Sequence, residues 1–447
     1  MTLRTRFLDV LRRLDALIAD HSGPVRLLFI VRDLRGFAIV RPIIEEACAR
    51  PRISLAFTLE SDSPLRHADV IAECRVLEGR FVPARRAEFA KWHYVFLTEV
   101  TGLRMRRWAT HFVLHHGQIW GNVDRAATFG PEGKFPDYTL KMSRQYQVSM
   151  RQVVSRCEFD YFARHAPDLV GSPNYRAVIM GVPKLDRYRR ATTDRRNALL
   201  QDLGLDPRRR TVVVTSHWID KGLFLGLGWG VFASLLRHEA EFNVIVLGHE
   251  KLWRDAESGL NSAARALRDK LRAAQRQADR LVFLPCMADQ LTYLALADLF
   301  VCDNSSAFVE CLVLDRPVLL FEHPEFEFED PNVGHAYRMA GARFSDCEGL
   351  AGALDDTVRN PDSYAQGRRD AIAILLARVG HSTRFFVDLV ESMGRLSGPR
   401  SSRWRCACKV IDQANADLPV PHQQSLTGSV AEHEHEHEHE HEHDAPA

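Results

Sequence analysis

The chain has 447 residues, of which 46% are hydrophobic and 26% charged, as in ordinary soluble globular proteins. This composition excludes a collagen-like fibre and a chain that is disordered throughout, and the length suits two or three domains. The formal net charge is +1, but the segment from Glu432 to Asp444 holds seven acidic residues, and without it 59 basic residues face 51 acidic ones. The mildly basic remainder fits either an arginine-rich solvated surface or a polyanionic partner.

The N-terminal residues and the cysteines predict a cytoplasmic protein. The first 20 residues carry charges throughout and lack the apolar core of a secretory signal. No apolar run approaches the roughly 18 residues of a membrane-spanning helix. The cysteines are odd in number and scattered, mostly among apolar neighbours, which is typical of reduced, buried thiols. They are Cys48, Cys74, Cys157, Cys286, Cys302, Cys311, Cys347, Cys406 and Cys408.

Residues 1–20 form a separate N-terminal segment in which 3–18 predict an amphipathic helix. Its apolar positions at helical spacing are Phe7, Val10, Leu11, Leu14, Leu17 and Ile18, and its arginines are Arg4, Arg6, Arg12 and Arg13. Such a helix either packs on the protein body in the ordinary way or lies on an anionic bilayer. The sequence leaves both interpretations open.

Two series of short apolar runs follow, and each predicts a parallel α/β domain. The first series places strands at 25–31, 53–59, 92–98, 111–117 and 177–181, with helices at 38–49 and 140–170. After a polar stretch at 187–209, the second series places strands at 211–217, 242–249, 280–285, 298–303 and 316–322, with helices at 261–277 and 363–394. The sequence therefore predicts an α/β fold of two Rossmann-like, doubly wound domains, at 21–190 and 208–395, that face a central cleft.

The last segment, 396–447, is polar, ends in a His-Glu repeat and predicts a disordered tail. The six histidines of the repeat have the chemistry to chelate a transition metal. An affinity tag or a native low-complexity repeat explains them more simply. No metal site is predicted.

Ligands of doubly wound sheets bind beyond the carboxyl ends of the strands, so polar residues at those ends are the candidate site. A predicted strand ends at Asp303, and a helix begins near Ser305 and Ser306, where unpaired backbone N–H groups and two hydroxyls favour a phosphate. Glu310, in the same helix, could accept hydrogen bonds from ribose hydroxyls. The alternative is that Asp303 or Ser305 only caps the helix.

Histidines also follow several predicted strands. His115 and His116 come after a strand of the first domain and precede Gly117. A histidine there could act as general base toward a hydroxyl, and a structural histidine is the alternative. His217 and His249 follow strands of the second domain.

Lys184 lies in the turn Gly181-Val182-Pro183-Lys184-Leu185-Asp186, which follows the last predicted strand of the first domain. Glycine and proline fix such a turn. The ammonium group of Lys184 could meet a phosphate, and a solvated surface lysine is the alternative.

The ordered set of motifs resembles the CDP-glycerol glycerophosphotransferase family, the enzymes that prime and polymerise teichoic acids and some bacterial capsules. The matching positions, within residues 110–325, are His116-Gly117, the turn 181–186, Thr215-Ser216-His217-Trp218, His249, Asp303-Asn304-Ser305-Ser306, Glu310 and Pro317. The chain departs from the family at Lys184, where arginine is usual, and at Asn304, where tyrosine is usual. The resemblance implies a GT-B architecture and a CDP-activated donor, with no metal or other cofactor.

The resemblance further implies transfer of a polyol phosphate, glycerol phosphate first, from its CDP carrier to a hydroxyl acceptor in bacterial cell-envelope or capsule polymer synthesis. His116 would take the proton of the acceptor while CMP leaves, and His249 would help to meet the developing charge. The predicted nucleotide- and phosphate-binding residues are Asp303, Ser305, Ser306, Glu310, Ser216 and Lys184.

The expected partners are a CDP-polyol donor and a lipid-linked or polyanionic glycan acceptor, with peripheral attachment to the anionic inner face of the cell membrane. No nucleic-acid partner is expected. Two other enzyme classes with this architecture remain open: a glycosyltransferase that uses a nucleotide sugar, and an isomerase like UDP-N-acetylglucosamine 2-epimerase. A non-catalytic binder of nucleotide sugars is the third alternative.

Overall fold

The computed structural model describes residues 3–60, 63–98, 103, 105, 109–114, 148–187, 193–238, 241–284, 290–399 and 401–418. Two parallel six-stranded sheets, each covered by helices, form its framework. The predicted α/β fold of two doubly wound domains is confirmed. No helix among these residues has the length and apolar character needed to cross a membrane.

The first sheet has the strand order β2-β1-β3-β4-β5-β6. Its strands are β1 (Val25–Val31), β2 (Ile53–Leu59), β3 (Tyr94–Leu97), β4 (Thr110–Val113), β5 (Met150–Val153) and β6 (Arg176–Ile179). β1 and β2 coincide with the predicted runs, because a strand buried on both faces needs a mostly apolar sequence. The chain leaves β1 toward β2 on one side and later returns to β3 on the other, which makes a switch point between β1 and β3.

Helices of the first half are α1 (Leu3–His21), α2 (Leu34–Cys48), α3 (His67–Glu73), α4 (Ala84–Phe89), α5 (Arg156–His165) and α6 (Pro167–Val170), with 3-10 turns at Arg75–Leu77 and Pro183–Arg187. The prediction of a helix over 140–170 is wrong for 150–153, which form strand β5. This strand is polar in sequence, and its buried Arg151 lies over the ring of Phe162. Because Arg151 and Gln152 are polar, the sequence did not predict this buried strand.

The second sheet has the strand order β12-β11-β10-β7-β8-β9. Its strands are β7 (Thr211–Ser216), β8 (Asn243–Gly248), β9 (Leu281–Leu284), β10 (Leu299–Cys302), β11 (Val318–Phe321) and β12 (Ala342–Phe344). The order reverses between β7 and β10, which pair with each other. Their carboxyl ends therefore flank the switch point of this sheet.

Helices of the second half are α7 (Thr193–Asp202), α8 (Leu223–Gly226), α9 (Trp229–Arg237), α10 (Glu250–Ser258), α11 (Ser262–Gln277), α12 (Gln290–Leu294), α13 (Ser306–Val313), α14 (Pro331–Met339), α15 (Cys347–Arg359), α16 (Ala365–Leu375), α17 (Ser382–Met393) and α18 (Trp404–Ala416). The eight cysteines in the described part of the chain are free thiols.

The last two helices cross back to the first sheet. Phe386 of α17 packs edge-on against Phe96 and Phe112. Asn415 of α18 accepts from the backbone N–H of Ile179 and donates to the carbonyl of Ala177, both at 2.9 Å. α17 thus belongs to the first domain, although the predicted second domain ran to residue 395. Helical periodicity predicts an amphipathic helix but not the sheet that the helix covers.

The prediction of disorder from residue 396 is wrong for 404–416, which form α18. Trp404, Ala407, Cys408 and Ile411 are buried in the core of the first domain, and this burial outweighs the polar composition of the segment. The His-Glu repeat lies outside the described residues.

Candidate functional site

Residues at the carboxyl ends of β7 and β10 meet at the switch point of the second sheet. Asp303 directly follows β10 and is completely buried. Its Oδ2 accepts hydrogen bonds from Ser216 Oγ at 2.8 Å and from the backbone N–H groups of His217 at 2.8 Å and Leu223 at 3.0 Å. Its Oδ1 accepts from the N–H of Ser305 at 3.0 Å. The carboxylate therefore ties the loop after β7 to the loop after β10.

Ser216 is engaged in the same network. Its hydroxyl donates to Asp303 and accepts from the N–H of Phe224 at 3.0 Å. The structure brings Ser216 and Asp303 together at the carboxyl ends of β7 and β10. Their hydrogen bonds are made within the protein, so their part in a site is to fix the shape of the two loops.

The start of α13 is different, because no side chain among the described residues caps it. Ser305 is the N-cap residue, yet its side chain makes no capping hydrogen bond. It is 7% exposed, and its Oγ has no hydrogen-bond partner in the described part of the chain. A buried hydroxyl without a partner costs free energy unless a ligand satisfies it. Ser306, partly exposed, begins the helix beside it.

Lys184 and Glu310 form an ion pair across the two halves of the molecule. Lys184 lies in the 3-10 turn after β6, and Glu310 lies in α13 after β10. Since both elements leave the carboxyl ends of their sheets, those two edges face each other here. Glu310 is the fifth residue of α13, so the pair lies about one turn along the helix from its uncapped start.

Aromatic and basic groups cluster at the ends of β7 and β8. The ring centroids of His217 and His249 lie 5.8 Å apart, and those of His217 and Trp218 lie 5.4 Å apart. His249 caps α10 because its Nδ1 accepts from the N–H of Lys251 at 3.1 Å. The Lys251 ammonium lies 3.1 Å from the centroid of the Trp218 ring. This strand-end cluster is thus aromatic and positively charged.

His217 is partly buried within this cluster. Burial lowers its pKa, the nearby Asp303 carboxylate opposes this, and Lys251 lowers the pKa further. The imidazole is therefore neutral near pH 7. Its Nδ1 has no hydrogen-bond partner among the described residues, so it can serve a ligand as a neutral donor or acceptor.

Sequence reasoning missed Lys251, although it stands two residues after His249 in the first turn of α10. It also missed the switch point of the first sheet. There Asp33 caps α2 by accepting from the N–H of Gly36 at 2.6 Å. A Cβ on Gly36 would lie 2.7 Å from Thr98 Oγ1, so only glycine lets α2 approach β3 so closely.

His116, the predicted base, lies outside the described residues together with His115 and Gly117. The other predicted site residues, His249, Asp303, Ser305, Ser306, Glu310, Ser216 and Lys184, all lie at the facing carboxyl edges. Among the residues with described side chains, no group of three or more histidine, cysteine or acidic residues could hold a metal ion.

Solved structures similar to this chain share its fold at low sequence identity. A structure of the wall teichoic acid polymerase TagF matches with a TM-score of 0.59 at 14% identity, over 87% of this chain and 94% of that one. A putative UDP-N-acetylglucosamine 2-epimerase from Listeria monocytogenes matches with a TM-score of 0.55 at 12% identity, over 83% and 96%. Anabaena Alr3699/HepE, solved with UDP and glucose, matches with a TM-score of 0.50 at 10% identity, over 82% and 100%.

No family model matches the sequence, and no curated protein sequence matches it. The structural similarity confirms the GT-B-like architecture. At these identities it concerns the fold alone, since one fold hosts several chemistries.

Proposed function

We propose that this protein is a GT-B transferase that moves a polyol phosphate, glycerol phosphate first, from a CDP-activated donor to a hydroxyl acceptor. The observation that carries the proposal is the buried Ser305 hydroxyl at the uncapped start of α13. The motif resemblance and the fold shared with TagF support it.

The donor diphosphate would lie at the start of α13. Backbone N–H groups of the first turn point out of a helix start, and the helix dipole favours negative charge there. The Ser305 and Ser306 hydroxyls would donate to phosphate oxygens. His249 and Lys251, at the neighbouring strand end, would stabilise the charge that develops on the leaving CMP.

Binding of the donor would split the Lys184–Glu310 ion pair. The ammonium of Lys184 would turn to a phosphate oxygen, and the carboxylate of Glu310 would accept from the ribose hydroxyls. Each group exchanges one charge-assisted contact for another, so the exchange needs no uncompensated buried charge.

His116 would act from the first domain as general base. It would take the proton of the acceptor hydroxyl while the acceptor oxygen bonds to the β-phosphorus and the bond from that phosphorus to the oxygen of CMP breaks. The acceptor we propose is a lipid-linked or polyanionic glycan of the bacterial envelope or capsule, reached in the cytoplasm. The reaction as proposed uses no cofactor beyond the activated donor.

A thermal-shift panel tests the donor. The protein is heated with CDP, CMP, CDP-glycerol, UDP, UDP-sugars and GDP-sugars in turn. A ligand at 100 times its Kd adds about 2.7 kcal/mol to the free energy of unfolding. Selective stabilisation by CDP and CDP-glycerol is the expected result. Selective stabilisation by UDP or GDP compounds would replace the proposal with sugar transfer or epimerisation, and tight binding without turnover would indicate a binder.

A further inference from the structure

A cavity of about 690 Å³ lies at the amino-terminal edge of the second sheet. Its lining comes from residues just before β7, β10 and β11 and from the start of α16. The volume falls in the range of small-molecule sites. Seven arginines of the described chain line it, and we therefore call it the arginine cavity.

Four of these arginines form ion pairs with carboxylates of the protein. The pairs are Arg196–Asp298, Arg208–Asp206, Arg209–Asp206 and Arg368–Asp315. Because their charge is balanced within the protein, these four side chains do not by themselves make an anion site.

The other three arginines have no carboxylate within ion-pair distance in the described part of the chain. Arg210 Nη1 donates to the carbonyl of Val358 at 3.4 Å, and Arg369 Nη2 donates to Gln366 Oε1 at 2.7 Å. Arg316, half-buried, makes no hydrogen bond with the described residues. The charge of all three guanidinium groups is therefore available to a ligand.

The cavity keeps a positive surplus after the ion pairs are set aside. Asp362 is the only carboxylate of the lining without an ion pair to a described residue. Three unpaired arginines against one unpaired carboxylate leave two positive charges, which match the roughly −1.5 to −2 of a phosphate monoester near pH 7. Guanidinium groups bind phosphate through two parallel N–H···O bonds.

The buried arginine of the lining supports the same ligand. The side chain of Arg368 is 3% exposed, and among the described residues only its Nε is hydrogen-bonded, to Asp315 Oδ1 at 3.1 Å. Its two Nη groups therefore keep N–H donors for a ligand. Asp315 has a φ of 48°, in the left-handed region that favours glycine. Strained backbone of this kind is often found at functional sites, and here it holds the carboxylate that pairs with Arg368.

The start of α16 also favours an anion. Ala365, its first residue, lines the cavity, and the N-cap residue Tyr364 makes no side-chain capping bond. The N–H groups of the first turn and the dipole of this 11-residue helix attract negative charge. Arg368 and Arg369 follow one turn along the same helix, so backbone and side-chain donors belong to one element.

We propose that the arginine cavity is a second anion site, which binds a phosphate group that is either free or carried by a small molecule. Arg210, Arg316, Arg369 and the Nη groups of Arg368 donate to its oxygens. The cavity extends well beyond one phosphate, so an organic phosphate also fits. The inference does not depend on the proposed function, because the four residues of β10 separate the cavity from the proposed donor site by about 13 Å.

Isothermal titration calorimetry of the full chain tests the proposal with two probes, inorganic phosphate and phenyl phosphate. Saturable binding of one equivalent is expected. Similar affinities would assign the site to free phosphate, and binding of phenyl phosphate at least tenfold tighter would assign it to a phosphorylated small molecule. No saturable binding of either probe would overturn the proposal.

Two cavity variants should change the affinity in opposite directions. The double variant Arg316→Gln, Arg369→Gln should weaken binding at least about tenfold, because hydrogen bonds to a charged group are lost. Asp362→Asn should tighten binding by about two- to fivefold, because it removes an unpaired negative charge. Both should keep the parent melting temperature, since none of these three side chains has an ion pair to a described residue. Parent affinity in both variants would overturn the proposal.

The matched control is Arg272→Gln, Arg276→Gln, which removes the same charge from the exposed surface of α11 and should bind the probe like the parent. An equal loss in this control would replace the site with general charge attraction. Ser305→Ala should also bind like the parent. A loss in Ser305→Ala without one in the cavity variant would place the probe at the start of α13 and overturn the proposal.

Discussion

The two sheets have related topology, and the helices that start at their switch points differ in one respect. In the first sheet, Asp33 caps α2, so its carboxylate already accepts from a first-turn N–H group. In the second sheet, Asp303 turns inward to brace two loops, and Ser305 leaves α13 uncapped. A satisfied helix start has less to offer an anion. Both sheets thus place a helix start at their switch point, and only the start of α13 lacks a side-chain cap, which is why we propose it as the phosphate site.

The largest expected effect is the loss of turnover when the proposed general base, His116 of the first domain, is removed. His116→Ala should lower turnover by about 10²- to 10⁴-fold, the usual contribution of general base catalysis, and leave donor affinity within about twofold. Steady-state kinetics and a nucleotide titration measure the two quantities. Equal losses of donor affinity and turnover would indicate that His116 binds the donor. They would contradict the proposal that the first domain supplies only the base.

Asp303→Ala should destabilise the fold by about 3 kcal/mol or more, because buried N–H donors of both loops lose their acceptor. Denaturant unfolding measures the loss. Asp33→Ala is the counterpart in the first sheet, and removal of a helix cap should cost about 1 kcal/mol. Similar losses in the two variants would contradict the bracing role assigned to Asp303.

The buried His93 should make the free energy of unfolding depend on pH. Burial, with Lys91 adding to the effect, lowers the pKa of His93 in the first sheet to about 4, from about 6.5 when unfolded. Between those values the unfolded chain binds a proton that the folded chain does not. The contribution of His93 to the free energy of unfolding is therefore greatest above pH 6.5 and should fall by up to about 3 kcal/mol as the pH drops to 4.

His93→Gln isolates this contribution, because glutamine keeps an acceptor for the N–H of Arg26, now 2.8 Å from the histidine Nδ1. The stability of the variant should depend less on pH between 6.5 and 4. Glu158 works in the opposite sense, since burial raises its pKa to about 7. The difference between the two pH profiles is therefore the quantity to measure, and identical profiles would refute the assignment.

The smallest effect should come from the helix start itself. Ser305→Ala removes one donor to phosphate and should weaken binding of CDP about tenfold, the worth of a hydrogen bond to a charged group. It should not lower the melting temperature of the unliganded protein, because the hydroxyl has no partner to lose. Ser262→Ala, at the exposed start of α11, is the control and should change neither quantity. Unchanged CDP affinity in Ser305→Ala would show that the start of α13 is not the phosphate site.

Sequence reasoning located the strands whose apolar runs are nearly continuous. β1 and β7 are of this kind, because burial on both faces favours a mostly apolar sequence, although Arg26 interrupts β1 and Thr215 and Ser216 end β7. It failed at β5, whose Arg151 and Gln152 are polar yet buried. It also assigned α17 to the wrong domain. These failures share a cause. Contacts between segments far apart in the sequence bury β5 and place α17 on the first sheet, and local sequence patterns do not show such contacts.

In the candidate site, too, local patterns were readable from the sequence and long-range contacts were not. The strand ends supplied His249, Ser305 and Asp303 from local pattern alone. The partners were beyond reach, because the Lys184–Glu310 pair joins residues 126 positions apart. Sequence could therefore indicate which residues lie at the strand ends, but not that the Asp303 carboxylate accepts four hydrogen bonds while the Ser305 hydroxyl makes none with the described residues.

The helix α1 is attached to the protein far from the proposed donor site. The helix is fastened beside the amino ends of β1 and β3, whereas the proposed donor site lies beyond the opposite, carboxyl edge of the strands. β1 has seven residues, so the sheet alone separates the two by about 23 Å. The contacts that hold α1 are therefore remote from the proposed site, at the far end of the same strands.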